Sequence, residues 1–130
     1  MRAMTLKPHN PQPPLANYSL GMEVPPNARW LHISGQVAVD KDGNTPADFE
    51  SQVALVFQNL GAVLASAEMT PADLVKVNVY LTRPEDIPAL RTARDAFQGT
   101  NRPASTLVVV SRLVRPEWLV EIEAVAARAA

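Results

Sequence analysis

The feature that most constrains this chain is a change of hydrophobic period between residues 49 and 81. Phe49, Val53, Val56, Leu60, Val63, Leu64 and Ala67 recur at spacings of three and four. That is the pattern of a helix with one buried face. From Leu74 to Leu81 the period drops to two: Val75, Val77 and Val79 alternate with Lys76, Asn78 and Tyr80. One face of this strand is dry and the other mixed. Each fully buried Val, Leu or Phe contributes about 1.5–3 kcal/mol, so helix and strand must cover each other. Thr70-Pro71-Ala72-Asp73 makes the connection.

The remaining elements fall around this pair. Residues 1–16 read as an extended, proline-punctuated arm, and residues 17–130 as a single domain. Tyr18 to Val24 reads as a short strand, closed by the turn Pro25-Pro26-Asn27. Trp30 to Ser34 is a second strand, interrupted at Gly35-Gln36 and resumed at Val37 to Val39. Asp40-Lys41-Asp42-Gly43 is a turn in which Gly43 supplies positive φ. Asp48 and Glu50 place negative charge at the start of the first helix, where its dipole favours it. Thr82-Arg83-Pro84-Glu85-Asp86 announces a second helix to about Gln98, with Ile87, Leu90, Ala93 or Arg94, and Phe97 on one side. After a loop at residues 99–103, strands follow at Ser105 to Arg112 and Trp118 to Ala126.

The resulting order is β-β-α-β-α-β-β. It implies an α+β fold, one mixed β-sheet with two helices packed on one face. The opposite face carries enough Val and Leu to call for self-association.

Composition removes several function classes. The 130 residues contain 12 Lys+Arg against 13 Asp+Glu, a net charge of -1, which is no basic footprint for nucleic acid or an anionic membrane. With no cysteine, disulfides and thiol chemistry are excluded. Two distant histidines, His9 and His32, leave no expected metal site, and no cofactor motif is visible. Neither a signal-peptide pattern nor a membrane-length apolar run occurs, so a cytoplasmic protein is expected. No Ser-His-Asp arrangement or phosphate loop is legible.

Three groups of residues could carry chemistry. Glu121 and Glu123 alternate with Val120, Ile122 and Ala124, so both carboxylates share one strand face. They suit general acid/base work, or simply a solvated or salt-bridged strand. Ser34-Gly35-Gln36 either lets a ligand approach the backbone closely or marks a β-bulge. Arg91, Arg94 and Arg102 offer forks for a carboxylate, or face water. Arg91 and Arg94, three apart, share one helical side. Tyr18 is either a phenolic contact or an amphipathic rim residue, and His32 reads as structural.

Taken in order, six segments resemble the RidA/YjgF family, also called the endoribonuclease L-PSP or enamine/imine deaminase family. They are Asn17-Tyr18-Ser19, Ile33-Ser34-Gly35-Gln36-Val37, residues 43–48, Asp73 to Leu81, Arg102-Pro103-Ala104-Ser105-Thr106, and residues 120–126. The resemblance covers nearly all of the chain from about residue 15. It implies a chorismate-mutase-like fold assembled as a homotrimer, with small-molecule clefts between subunits and no cofactor. It further implies a cleft tyrosine at Tyr18, a ligand-facing backbone at Ser34 and Gly35, and a water-orienting carboxylate at Glu121.

The same resemblance exposes departures. The family's carboxylate-gripping arginine falls at Ser105, its usual cysteine at Leu107 and its helix asparagine at Arg91. Losing a charged hydrogen bond to a carboxylate costs about 1.5–3 kcal/mol, or roughly tenfold to a hundredfold in rate. Arg91 or Arg102 is expected to replace the missing charge from another backbone position. The expected function is a RidA-like protein with altered ligand preference, hydrolysing an enamine or imine such as 2-iminopropanoate or 2-iminobutanoate. The alternatives are a non-catalytic metabolite-binding, chaperone-like or regulatory trimer, and an endoribonuclease or translation inhibitor as one family name suggests.

Overall fold

The computed structural model describes residues 6–130. Its elements are β1 (Lys7–His9), β2 (Gly21–Glu23), β3 (Ala28–Val37), α1 (Phe49–Ser66), β4 (Leu74–Leu81), α2 (Ile87–Gln98), β5 (Ala104–Val109) and β6 (Val120–Ala129). Short 3-10 turns at Pro71–Asp73 and Pro84–Asp86 lead into β4 and α2. Strands β3, β6, β4 and β5 form one sheet in that spatial order. β4 and β5 run parallel while the other pairs are antiparallel, so the sheet is mixed. The parallel pair is joined through α2, the long crossover such a pair requires.

Both helices cover the same sheet face. Val77, Val79 and Leu81 of β4 and Val120, Ile122 and Ala124 of β6 are buried with Val53, Val56, Leu60 and Leu64 of α1 and Leu90 of α2. Phe57 and Phe97 join the helices, their ring centroids 4.8 Å apart. Asp48 caps α1, accepting from the Ser51 backbone N–H at 2.9 Å. Gln52, fully buried, ties α1 to two loops. Its Nε2 donates to the carbonyls of Pro46 and Glu117, and its Oε1 accepts from Leu119 N–H, all at 2.9 Å. Gly43 takes φ +84° in the expected turn.

Several boundaries differ from the sequence expectation, each for a local reason. The first strand is only Gly21–Glu23 and pairs with Lys7–His9, so the arm contributes a strand of its own; residues 1–5 of that arm lie outside the described residues. Tyr18 lies before the strand, because Ser19 bonds sideways to the loop before β5: its N–H donates to Pro103 O at 3.1 Å and its hydroxyl to Arg102 O. β3 is continuous through a bulge rather than broken. β5 ends at Val109 and β6 extends to Ala129, paired with Ala28.

The open face of the sheet is also more polar than expected. Register places Lys76, Asn78 and Tyr80 of β4 beside Val125, Glu123 and Glu121 of β6 on that face. The Val and Leu side chains of both strands turn to the helices instead. Apolar side chains on the open side include Trp30 of β3, Val125 of β6 and Val108 of β5.

Candidate functional site

The bulge in β3 builds the first half of the site. Between Ile33 and Gln36 the strand advances three residues while β6 advances two, from Ala124 to Ile122. The extra residue falls at Ser34-Gly35, and the alternation brings Glu121 across it. A Cβ built on Gly35 would overlap Glu121 Oε2 and lie 2.7 Å from its Cδ. Glycine at 35 is therefore the condition for Glu121 to lie flat against the backbone.

Glu121 and Glu123 differ in their surroundings. Glu123 Oε1 accepts from Tyr80 Oη at 2.5 Å and from Asn78 Nδ2 at 3.2 Å. These donors hold its carboxyl below the usual carboxylate range, the tyrosine contributing most. Tyr80, donating to that carboxylate, keeps its own proton above its ordinary range. Burial, and then the nearby Glu123 charge, push Glu121 in the opposite direction, upward. Among the described residues neither carboxylate has a cation within ion-pair distance. One acid is thus held toward its anionic form, and its neighbour is shifted toward its protonated form. Both border an open groove of about 470 Å³, lined also by Val110, Arg112, Leu113 and Val114. Arg112 is held by the carbonyls of Leu113 and Val114 at 3.0 and 2.8 Å.

A second groove, of about 320 Å³, lies between α2 and β5. Tyr18, Ile87, Arg91, Arg94, Ser105 and Leu107 line it. The isolated bridge between Ser19 and Ala104 brings Tyr18 alongside β5. Ser105, Leu107 and Val109 oppose Val77, Val79 and Leu81 of β4, so their side chains rise on the helix side of the sheet. Arg102 is not part of the lining. Its Nη1 donates to Gly99 O and Asn101 O at 2.6 and 2.9 Å, fastening its own loop. Arg91 reaches the groove from an exposed position, whereas Arg94 is almost wholly buried.

The two grooves cannot meet within one chain. Glu121 stands on the open face of β6, and Ser105 on the helix face of β5. β4 lies between them, so two interstrand steps, about 10 Å, and the sheet itself intervene. The expected site residues therefore form two clusters: Tyr18, Arg91, Ser105 and Leu107 in one, Gly35 and Glu121 in the other. Ser34 borders a third, smaller hollow of about 270 Å³ with His32, Lys76, Asn78 and Glu123. Sequence reading did not single out Tyr80 and Asn78, whose partner lies 43 to 45 residues away. It offers Arg94 as a possible cation and as an alternative to Ala93 on the apolar side of α2. Among the described residues no cluster of His, Asp and Glu could hold a metal, and no helix is long and apolar enough to cross a membrane.

Residues 9–128 match the family described as Endoribonuclease L-PSP. RutC family protein PH0854 of Pyrococcus horikoshii is 33% identical over 119 residues, spanning 90% of this chain and 91% of that one. The crystal structure of YyfB from Yersinia pestis, a protein of unknown function of the conserved Rid family, superposes with a TM-score of 0.83 at 32% identity, covering 93% and 97% of the two chains. TdcF of Escherichia coli, named as a candidate reactive intermediate deaminase, is 32% identical over 104 residues, 77% of this chain and 80% of its own. Its crystal structure with bound serine superposes with a TM-score of 0.72 at 27% identity, covering 88% of this chain and 94% of that one.

Proposed function

Because this chain belongs to the endoribonuclease L-PSP, or RidA/YjgF, family of small-metabolite proteins, we propose that it hydrolyses a small enamine or imine in a cleft completed by a second copy of itself. The observation that carries the chemistry is Glu121, laid over Gly35 with its pKa raised beside an ionised Glu123. A carboxyl whose pKa burial raises toward working pH is better suited to act as both base and acid.

The proposed reaction needs only water. Glu121 takes a proton from water as the water oxygen bonds to the imine carbon and the C=N pair moves to nitrogen. Protonated Glu121 then returns the proton to nitrogen. Glu121 then takes the carbinol hydroxyl proton and passes it to the amine; the C–N bond breaks, ammonia leaves with that proton, and the carbinol oxygen becomes the carbonyl. An enamine enters the same sequence after protonation at carbon. The backbone at Ser34-Gly35 faces the polar end of the ligand, and Tyr18, Ser105 and Leu107 of the neighbouring copy enclose its remainder.

The placement of the two clusters on opposite sheet faces supports the shared cleft. A homotrimer closes such heterologous contacts in a ring. Turnover of freshly generated 2-iminopropanoate tests the reading. The wild type is expected to release ammonia, and Glu121→Gln to do so about a hundredfold to ten-thousandfold more slowly. Equal rates for both proteins would remove Glu121 from the mechanism. Ligand-dependent thermal stabilisation without any turnover would overturn hydrolysis in favour of a metabolite-binding role.

A further inference from the structure

Tyr80 stands opposite Glu121 in the register of β4 and β6, on the open face of the sheet, and both line the 470 Å³ groove. Its hydroxyl hydrogen goes elsewhere. It is donated to Glu123 Oε1, at 2.5 Å. A phenol has a single hydrogen, and its oxygen keeps lone pairs that can accept. With the hydrogen committed to a carboxylate, a ligand group reaching the Tyr80 oxygen from the groove meets lone pairs and no donor. The commitment is firm: the bond to Glu123 holds the phenol's proton above its ordinary range. Asn78 Nδ2, donating to the same Oε1 at 3.2 Å, helps keep Glu123 in place. The guanidinium that lines the groove, Arg112, spends Nε and Nη2 on the carbonyls of Leu113 and Val114. Val110, Leu113 and Val114 add apolar surface.

We propose that Tyr80 is a specificity-determining residue of this groove, and that it selects a ligand nitrogen bearing hydrogen over a carbonyl oxygen. An imine N–H donates to the phenol oxygen. The protonated imine does so more strongly, as a charge-assisted bond in the field of the two neighbouring carboxylates. The carbonyl compound left by hydrolysis has an oxygen where the N–H was. Against the lone pairs of Tyr80 that oxygen meets repulsion and forms no bond, so the contact that holds the substrate turns away the product. A site built to pair with a ligand N–H discriminates strongly against an analogue that lacks it. The inference rests on the hydrolytic reading only in naming an imine as the ligand; the preference for N–H over C=O belongs to the groove itself.

The test uses the full-length protein with acetamidinium, a planar cation carrying the C–NH2 edge of a protonated imine, and acetone, of similar shape with a carbonyl oxygen. In wild-type protein carrying carbon-13 at tyrosine Cζ, the Tyr80 resonance is expected to shift on adding acetamidinium and not on adding acetone. The chain has two tyrosines, so loss of a resonance in Tyr80→Phe assigns it. Tyr80→Phe keeps the ring and removes the oxygen. It should bind acetamidinium about tenfold to a hundredfold more weakly, with acetone binding unchanged or stronger. Its KM for an imine should rise by more than its kcat falls. Asn78→Ala takes the other donor from Glu123 and leaves the Tyr80 oxygen in place, and should keep the wild-type preference for acetamidinium.

Wild-type protein that binds acetone as tightly as acetamidinium, a Tyr80 resonance unmoved by acetamidinium, or Tyr80→Phe binding equal to wild type would overturn the assignment. So would an equal loss of preference in Asn78→Ala, which would place the effect on Glu123 and not on the phenol oxygen. Tyr80-dependent binding of acetamidinium without imine turnover would leave the assignment standing and remove the hydrolytic reading. Imine turnover with an unchanged KM in Tyr80→Phe would do the reverse.

Discussion

Replacing Gly35 by alanine perturbs the site through a single contact. The backbone there lies outside the left-handed region, so alanine adds no dihedral strain. What it meets is Glu121: overlap with Oε2, 2.7 Å to Cδ and 3.0 Å to Cγ. All three atoms belong to a flexible side chain that can swing into the 470 Å³ groove. The stability cost should therefore sit at the low end of overpacking, about 1 kcal/mol, a few degrees of melting temperature for a domain of this size. The chemical cost should be larger. Moving a catalytic carboxyl by about 1 Å loses roughly a hundredfold in rate. Swung outward, Glu121 also leaves the burial that chiefly raises its pKa, so its titration should fall back toward 4.5. Thermal unfolding, imine turnover and carboxyl carbon NMR across a pH series measure the three effects. A Gly35→Ala protein with wild-type turnover and an unmoved Glu121 titration would refute the claim that Gly35 exists to seat this carboxyl.

The two strand carboxylates should respond to pH with opposite signs. Glu121 binds its proton more tightly folded than unfolded, so its ionisation opposes folding above its folded pKa and costs nothing well below 4.5. Glu121→Gln should therefore raise the melting temperature near neutrality, the gain vanishing in acid. Glu123 is depressed by Tyr80 and Asn78, so its contribution is present above 4.5 and is lost as pH falls through its folded pKa. Glu123→Gln should lower the melting temperature near neutrality, with the difference closing in acid. Parallel pH curves for either variant and wild type would contradict the assignment. Elsewhere, Gln52→Leu removes three buried hydrogen bonds between α1 and two loops. It should cost about 3 kcal/mol in urea denaturation at roughly 1 kcal/mol per bond, and a loss below 1 kcal/mol would show that water replaces those bonds.

The fold was legible where one period ran long enough to speak. α1 announced its buried face through Phe49, Val53, Val56, Leu60 and Leu64, and β4 through its alternating valines. The alternation in β6 placed Glu121 and Glu123 together, away from the buried Val120 and Ile122. β1 and β2 are three residues each and mostly exposed, too short for a period to form. The Ser34-Gly35 bulge was one of two readings of a Ser-Gly pair, and only pairing with β6 shows that Glu121 fills the space above it. Register is non-local, so neither the meeting of Tyr80 and Asn78 with Glu123 nor the polar character of the open face was readable. Arg94 left one usable signal. It continues the buried stripe of α2 from Leu90, and a charge at a core position asks for a partner.

A shared cleft requires that each site draw on two chains. Ser105→Trp fills the groove between α2 and β5, and Glu121→Gln disables the other half. Each variant alone should hydrolyse 2-iminopropanoate poorly. When the two are unfolded together and reassembled in equal amounts, roughly one quarter of the clefts of a cyclic oligomer pair an intact groove with an intact Glu121. Recovery of about that fraction of wild-type turnover is the expected result. A mixture no more active than its separate components would contradict the shared cleft.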